Sequence, residues 1–233
     1  MRPMIAVLLA AGVLAFAQPV LAQQAAVVEG VQMPAWVEHG NERKPLAVGM
    51  ELKSGDTVKT GTGSRALVKL SEGSLVKLGE NGSLLINDIE PDSGGIFKAA
   101  LRVDQGAFRF TTDLLQKARR REVSIRVATV TAGIRGTDLW GKSVPERQIV
   151  CLIEGAIEVG AEGEQPVRMD QSRQFYRREN GQTQPVGFVE AAQLGEWAKE
   201  TDIEAGKGAA RRGGKWNVNL ITAADQSTVI HYA

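Results

Sequence analysis

From Val27 to Val186 the sequence is interrupted about every ten residues by Gly, Asp, Asn or Ser, and the pieces between are short and rich in Val, Ile, Leu, Thr and Phe. That rhythm leaves no room for long helices and predicts an all-β fold. In Arg65–Leu70 the residues Ala66, Val68 and Leu70 alternate with Arg65, Leu67 and Lys69, and Val123, Ile125, Val127 and Thr129 alternate with Glu122, Ser124, Arg126 and Ala128. Each such strand has one face to bury. Ile149 to Ile153 is apolar on both faces, which places it at the centre of the fold. Turns at Ser54-Gly55-Asp56, Gly61-Thr62-Gly63-Ser64, Glu72-Gly73-Ser74 and Asn81-Gly82-Ser83 each supply a residue that takes positive φ at little cost. The loose periodicity of Val58, Val68, Val76 and Leu84 suits either a short β-solenoid or a barrel-like sandwich.

Two stretches leave this pattern. Thr112 to Lys117 reads as a helical turn leading into a basic surface loop, Lys117, Arg119, Arg120 and Arg121, a candidate contact for an anionic partner. Over 187–204 the period changes to that of a helix, with Phe188, Ala191, Leu194, Trp197, Ala198 and Thr201 on one stripe, so an amphipathic helix should pack on the β domain. Residues 205–215 have the composition of a flexible basic linker, and 216–233 read as a strand and helix that cannot bury themselves alone.

The N-terminus carries Arg2, an apolar run from Met4 to Phe16, and Val20-Leu21-Ala22. These are the parts of a signal peptide, 1–22, cleaved before Gln23, and they place the mature protein in the periplasm with no integral membrane segment after cleavage. Lys plus Arg is 28 and Asp plus Glu is 27. Nucleic acid is therefore not the expected partner, since its binders carry a clear basic excess. The single cysteine, Cys151, excludes an intrachain disulfide and reads as core packing.

No catalytic constellation emerges. His39 and His231 lie far apart in sequence, Cys151 has no base nearby, and no zinc spacing or phosphate-binding glycine loop is present. Asp56, Asp88, Glu90, Asp92, Asp104, Asp138 and Glu154 offer carboxylates that sequence cannot set face to face. The expectation is a non-enzyme with no cofactor. Asp56 follows a turn glycine and is expected to cap that turn. Trp197 belongs to the core stripe, whereas Trp140, beside Gly141, is the candidate exposed stacking platform.

Read in order, the segments Gly49–Gly61, Gly63–Leu70, Gly73–Gly79, Val103–Phe110, Thr129–Asp138 and Val150–Val159 resemble the FecR-domain family over Val27 to about Val186. The motif positions Gly55, Asp56, Gly61, Gly106, Arg135, Gly136, Thr137, Glu154 and Gly155 are expected to maintain the fold, with Arg135 satisfying carbonyls or pairing with Asp138 or Glu154 near the core. Gly214–Leu220 with Ala224–Ala233 resembles the start of a SPOR-type peptidoglycan-binding domain. The resemblance implies a β-rich periplasmic module, over 23–186, that engages another envelope protein. Such domains are best known in relays to a cytoplasmic sigma factor. This sequence shows neither the cytoplasmic anti-sigma segment nor the transmembrane helix of those relays. The expected function is accordingly a soluble sensing or scaffolding module outside that scheme, with peptidoglycan or polysaccharide binding as the alternative.

Overall fold

The computed structural model describes residues 26–90, 96–112, 120–134, 136–204, 206–212 and 215–217. Eight strands come first: β1 (Ala26–Gln32), β2 (Ala35–His39), β3 (Glu42–Pro45), β4 (Glu51–Leu52), β5 (Thr57–Thr60), β6 (Arg65–Leu70), β7 (Leu75–Leu78) and β8 (Ser83–Glu90). The ninth, β9 (Ile96–Thr111), runs for 16 residues. Then come β10 (Arg120–Val127), β11 (Val130–Ile134), β12 (Asp138–Val144), β13 (Arg147–Glu154), β14 (Ile157–Ala161), β15 (Val167–Met169), β16 (Gln174–Glu179) and β17 (Gln182–Phe188). Helix α1 (Ala191–Lys199) and strands β18 (Ala209–Arg212) and β19 (Lys215–Asn217) follow.

Hydrogen bonding sorts the strands into two layers. Sheet I runs β19-β18-β1-β6-β7-β9-β12-β13-β16-β17, with β4 also paired to β1. Sheet II runs β3-β2-β5-β8-β9-β10-β11-β14-β15. All of these pairs are antiparallel except β9–β10. Strand β9 is in both layers: Lys98 to Gln105 pair with β8 in sheet II, and Gly106 to Thr111 pair with β12 in sheet I. The changeover falls at Gly106, whose φ of +91° only glycine takes readily. Its missing side chain also lets Gly82 approach, since a Cβ there would lie 2.6 Å from the Gly82 Cα.

On either side of β9 the chain follows one path twice. Strands β5, β6, β7 and β8 run sheet II, I, I, II, and so do β11, β12, β13 and β14; in each set the first strand pairs with the last. Each corner is tied by a threonine: Thr60 Oγ1 donates to the Gly79 carbonyl at 2.6 Å, and Thr137 Oγ1 to the Ala156 carbonyl at 3.4 Å. A side chain crossing a sheet-to-sheet corner in this way satisfies carbonyls that no ladder reaches.

The inner faces bury a continuous core that includes Val68, Val76, Phe108, Phe110 and Leu152 from sheet I and Val58, Ile86, Val103, Ile125 and Val159 from sheet II. The fold is a sandwich-like all-β arrangement, and neither sheet closes into a barrel. Of the two architectures the repeats allowed, the solenoid is excluded because the strands alternate between facing layers and pair antiparallel. A second apolar cluster lies on the outer face of sheet I, where α1 sets Leu194 against Ala107, Trp140, Ile149, Cys151 and Ile153. This explains why β13 is apolar on both faces: one meets the core and the other the helix.

Several expectations change. The helix is shorter than 187–204, because Gly187 and Phe188 pair with β16 and end β17; Phe188 is exposed rather than on the buried stripe. Within 205–215, read as a linker, β18 pairs with β1 through Gly30 and Val31. Arg120 and Arg121 open strand β10 instead of lying in a surface loop. Of the predicted helical turn only Thr112 is described, and Lys117, Arg119 and Arg135 fall outside the described residues, as do the signal-peptide segment and His231. No helix among the described residues is long and apolar enough to cross a membrane.

Candidate functional site

The most unusual chemistry lies on the outer face of sheet I, where Lys77, Arg109, Trp140, Cys151 and Phe175 stand opposite one another in one row across five strands. Side chains two residues apart share a face, so the next row on this side holds Ala107, Lys142, Ile149 and Arg177. Helix α1 covers the middle of both rows. Trp197 stacks on Trp140 with ring centroids 4.7 Å apart and an interplanar angle of 13°, and it meets the Phe175 ring edge-on at 6.4 Å. Trp140, expected to be the exposed platform, is only 1% exposed. Local sequence could not show this, because what covers it arrives more than fifty residues later in the chain. Trp36 is the more accessible ring, half-buried, with the Arg43 guanidinium 4.0 Å from its centroid.

Beside Trp140, Arg109 is buried and grips Asp138 with two parallel bonds, Nε to Oδ1 at 3.0 Å and a terminal nitrogen to Oδ2 at 2.6 Å. Thr111 Oγ1 lies 3.4 Å from Asp138 Oδ1. The fork-to-carboxylate geometry is the strong form of this contact. Arg135 was expected to pair with Asp138 or Glu154 or to satisfy carbonyls; the described partner of Asp138 is Arg109, which lies in the segment Val103–Phe110 but was not singled out there. The available signal was an arginine between Phe108 and Phe110, where a charge needs a buried counterpart. Glu154, opposite Asp138 in register, is exposed.

The remaining motif residues serve turns and corners. Gly55 has φ +89° and donates its N–H to the Ile86 carbonyl at 2.7 Å. Asp56 is buried; its Oδ2 accepts the Lys53 N–H at 2.9 Å and its Oδ1 lies 2.7 Å from His39 Nδ1. Gly61 donates to the Pro34 carbonyl at 2.9 Å, and a Cβ on it would touch the Pro34 ring. Thr137 is buried and exchanges backbone and hydroxyl bonds with Thr112. Gly136 and Gly155 both have positive φ, and a Cβ on Gly155 would lie 2.6 Å from the Gly136 carbonyl oxygen. These residues are distributed over the molecule and do not converge on one pocket.

Two buried titratable groups were not singled out by sequence or were read only as packing. Burial pushes the Cys151 thiol up to about 12, which keeps it protonated and a poor nucleophile near neutral pH. Glu72, in the turn between β6 and β7, is buried with neither carboxylate oxygen in a hydrogen bond of good geometry. Desolvation raises its pKa above the ordinary 4.5, outweighing the opposite pull of the Ser74 hydroxyl, nearby backbone amides and the Arg121 charge. The folded protein thus keeps a proton that the unfolded chain releases, and stability falls as pH rises from the ordinary value through the raised one. Glu72→Gln should remove that loss, melting higher than the parent at pH 7 and level with it at pH 4, as circular dichroism melts at the two pH values would show.

Arg121 is half-buried and lines an open trough on the outer face of sheet II, whose floor is Ala100, Ser124 and Gly133 and whose ends are Asp88 and Glu158. Among the described residues, no three His, Cys, Asp or Glu side chains gather as metal ligands would.

No curated protein matches the chain. Two crystal structures of a proposed anti-sigma factor from Parabacteroides distasonis ATCC 8503 resemble it, each at 15% identity and each covering 61% of this chain. One gives a TM-score of 0.49 over 64% of its own chain and the other 0.50 over 63%, so this chain spans under two thirds of their length. The likeness at 0.50 is one of fold. It overturns the sequence reading that set this chain outside the anti-sigma scheme: the sandwich, and not the presence of further segments in the same chain, is what is shared with a protein so described. Residues 56–158, from the carboxylate that caps the β4–β5 turn to the start of β14, match the family described as FecR protein.

Proposed function

We propose that this chain is the extracytoplasmic, signal-receiving part of an anti-sigma relay. The observation that carries the reading is the FecR match over 56–158, and the fold shared with a proposed anti-sigma factor points the same way. A rigid sandwich that places its loops and outer faces in solution, with its glycines spent on corners rather than on a reaction centre, suits the reception of a signal by contact. The N-terminal features of residues 1–22 support export, which puts this domain outside the inner membrane while the transcriptional output lies within.

Export is checked by intact mass: protein recovered from the periplasmic fraction should begin at Gln23, and a chain that retains Met1 in the cytoplasmic fraction would count against the placement. The relay is tested by sequencing transcripts from a strain lacking the gene, its parent, and a strain overproducing the protein. One coherent set of promoters of an alternative sigma factor should change several-fold, in opposite senses in the two altered strains. Unchanged transcripts in both would overturn the reading.

A further inference from the structure

The contact between α1 and sheet I has the build of an element that comes off. Helix α1 spans nine residues, below the length that holds together alone in water, and carries Gly195 in its interior. Glu190 at its N-terminus makes no side-chain capping bond, and no acidic residue occupies its first turn. Leu194 is its one fully buried residue. Beyond the burial of Val189, Leu194 and Thr201 and the bond from the Val189 N–H to the Arg173 carbonyl at 3.0 Å, the helix and its flanking residues hold the sandwich through a few contacts: the Trp197–Trp140 stack, the ion pairs Lys142–Glu200 at 2.6 Å and Lys77–Asp202 at 2.8 Å, and the bond from the Glu204 N–H to Gln32 Oε1 at 3.0 Å. All four partners of the two ion pairs remain partly exposed, where such pairs hold weakly. Under the helix the fit is imperfect as well. The Trp140 indole N–H is buried without a hydrogen-bond acceptor.

What lies beneath is itself well formed. Removing residues 189–204 would uncover an apolar strip of Ala107, Trp140, Ile149, Cys151 and Ile153, flanked by the ammonium groups of Lys77 and Lys142. Backbone also meets backbone closely here: a Cβ on Gly79 would lie 2.6 Å from the Glu200 carbonyl oxygen. We propose that Val189–Glu204 is a displaceable strap over a helix-docking strip, and that the strip's second occupant is an amphipathic helix of a partner protein. The chemistry of that partner is set by what the strap supplies: an aromatic ring for Trp140, with carboxylates three and five residues past it for Lys142 and Lys77. The strap opens while both sheets stay intact, because its contacts form a cluster separate from the core between the sheets. The mechanism does not depend on which signal the domain receives.

Cys151 reports the opening, since it is the only thiol in the chain and lies under the strap. Its modification by a maleimide is followed by mass spectrometry across a urea series below the unfolding transition, beside circular dichroism melts. Wild-type protein should label with a urea dependence much shallower than that of global unfolding. Trp197→Ala should label about tenfold faster or more while its β signal persists. A synthetic peptide of residues 187–204 should slow labelling of that variant, and the same peptide with alanine for its tryptophan should not. Should Trp197→Ala fail to fold, the double variant Glu200→Gln/Asp202→Asn loosens the strap with the stack intact and should label faster than wild type. Labelling that follows the full urea slope of global unfolding in every variant would overturn the strap. Fast labelling that the peptide leaves unchanged would overturn the docking strip.

Discussion

Asp138→Ala should cost about 3–5 kcal/mol of stability, because it leaves the Arg109 guanidinium buried in sheet I without its carboxylate. For a chain of this size the melting temperature should fall by roughly 10 °C. The loss is much larger than that of an exposed pair such as Arg168–Asp170, whose removal should be nearly silent. Asp138→Asn keeps an oxygen that can accept one guanidinium bond and should lose less. Urea denaturation of the three variants gives the order directly. A loss below about 1 kcal/mol in Asp138→Ala would mean that water reaches Arg109 when the carboxylate is gone.

Gly106→Ala should be at least as damaging, at about 3 kcal/mol or more, since two independent effects add. An alanine is strained at φ +91°, and its Cβ would meet the Gly82 backbone, which has no flexible end to swing aside. Gly163→Ala separates the two effects: its φ of +81° imposes similar strain, but its Cβ would point into open space. That variant should lose only the part due to backbone conformation, about 1–3 kcal/mol. Equal losses in the two would place the whole effect in φ and none in the contact between corners.

The sequence was most readable where a residue's environment is set by its neighbours in the chain. Alternation in β10 gave its buried face correctly, with Val123, Ile125 and Val127 inward, and the double apolarity of Ile149–Ile153 marked a strand covered on both sides. What covered the second side was not visible, because α1 is linked to β13 by packing alone. For the same reason Trp140 read as exposed: next to Gly141 at an apparent strand end, nothing local announces a second tryptophan stacked on it. Strand β18 was unreadable on similar grounds, since Ala209–Arg212 has no apolar pattern and owes its form to hydrogen bonds with β1. The Arg109–Asp138 pair was half legible. Sequence offered Asp138 as one of two carboxylates for Arg135, which is near it in the chain, and did not bring in Arg109, which lies two residues from it along the ladder between β9 and β12.

Strand β9 also limits how the molecule can move. In a sandwich whose layers are joined only by loops, one sheet can slide over the other as a rigid plate, and interfaces of that kind relay small displacements by shear. Here a single uninterrupted stretch of backbone passes from one plate into the other, and sliding would have to bend it at Gly106, where Gly82 already stands in contact. The two plates are in effect welded along a seam. A stimulus arriving on the outer face of sheet II therefore has no route through relative motion of the layers, and what this domain can change is what its edges and outer faces hold.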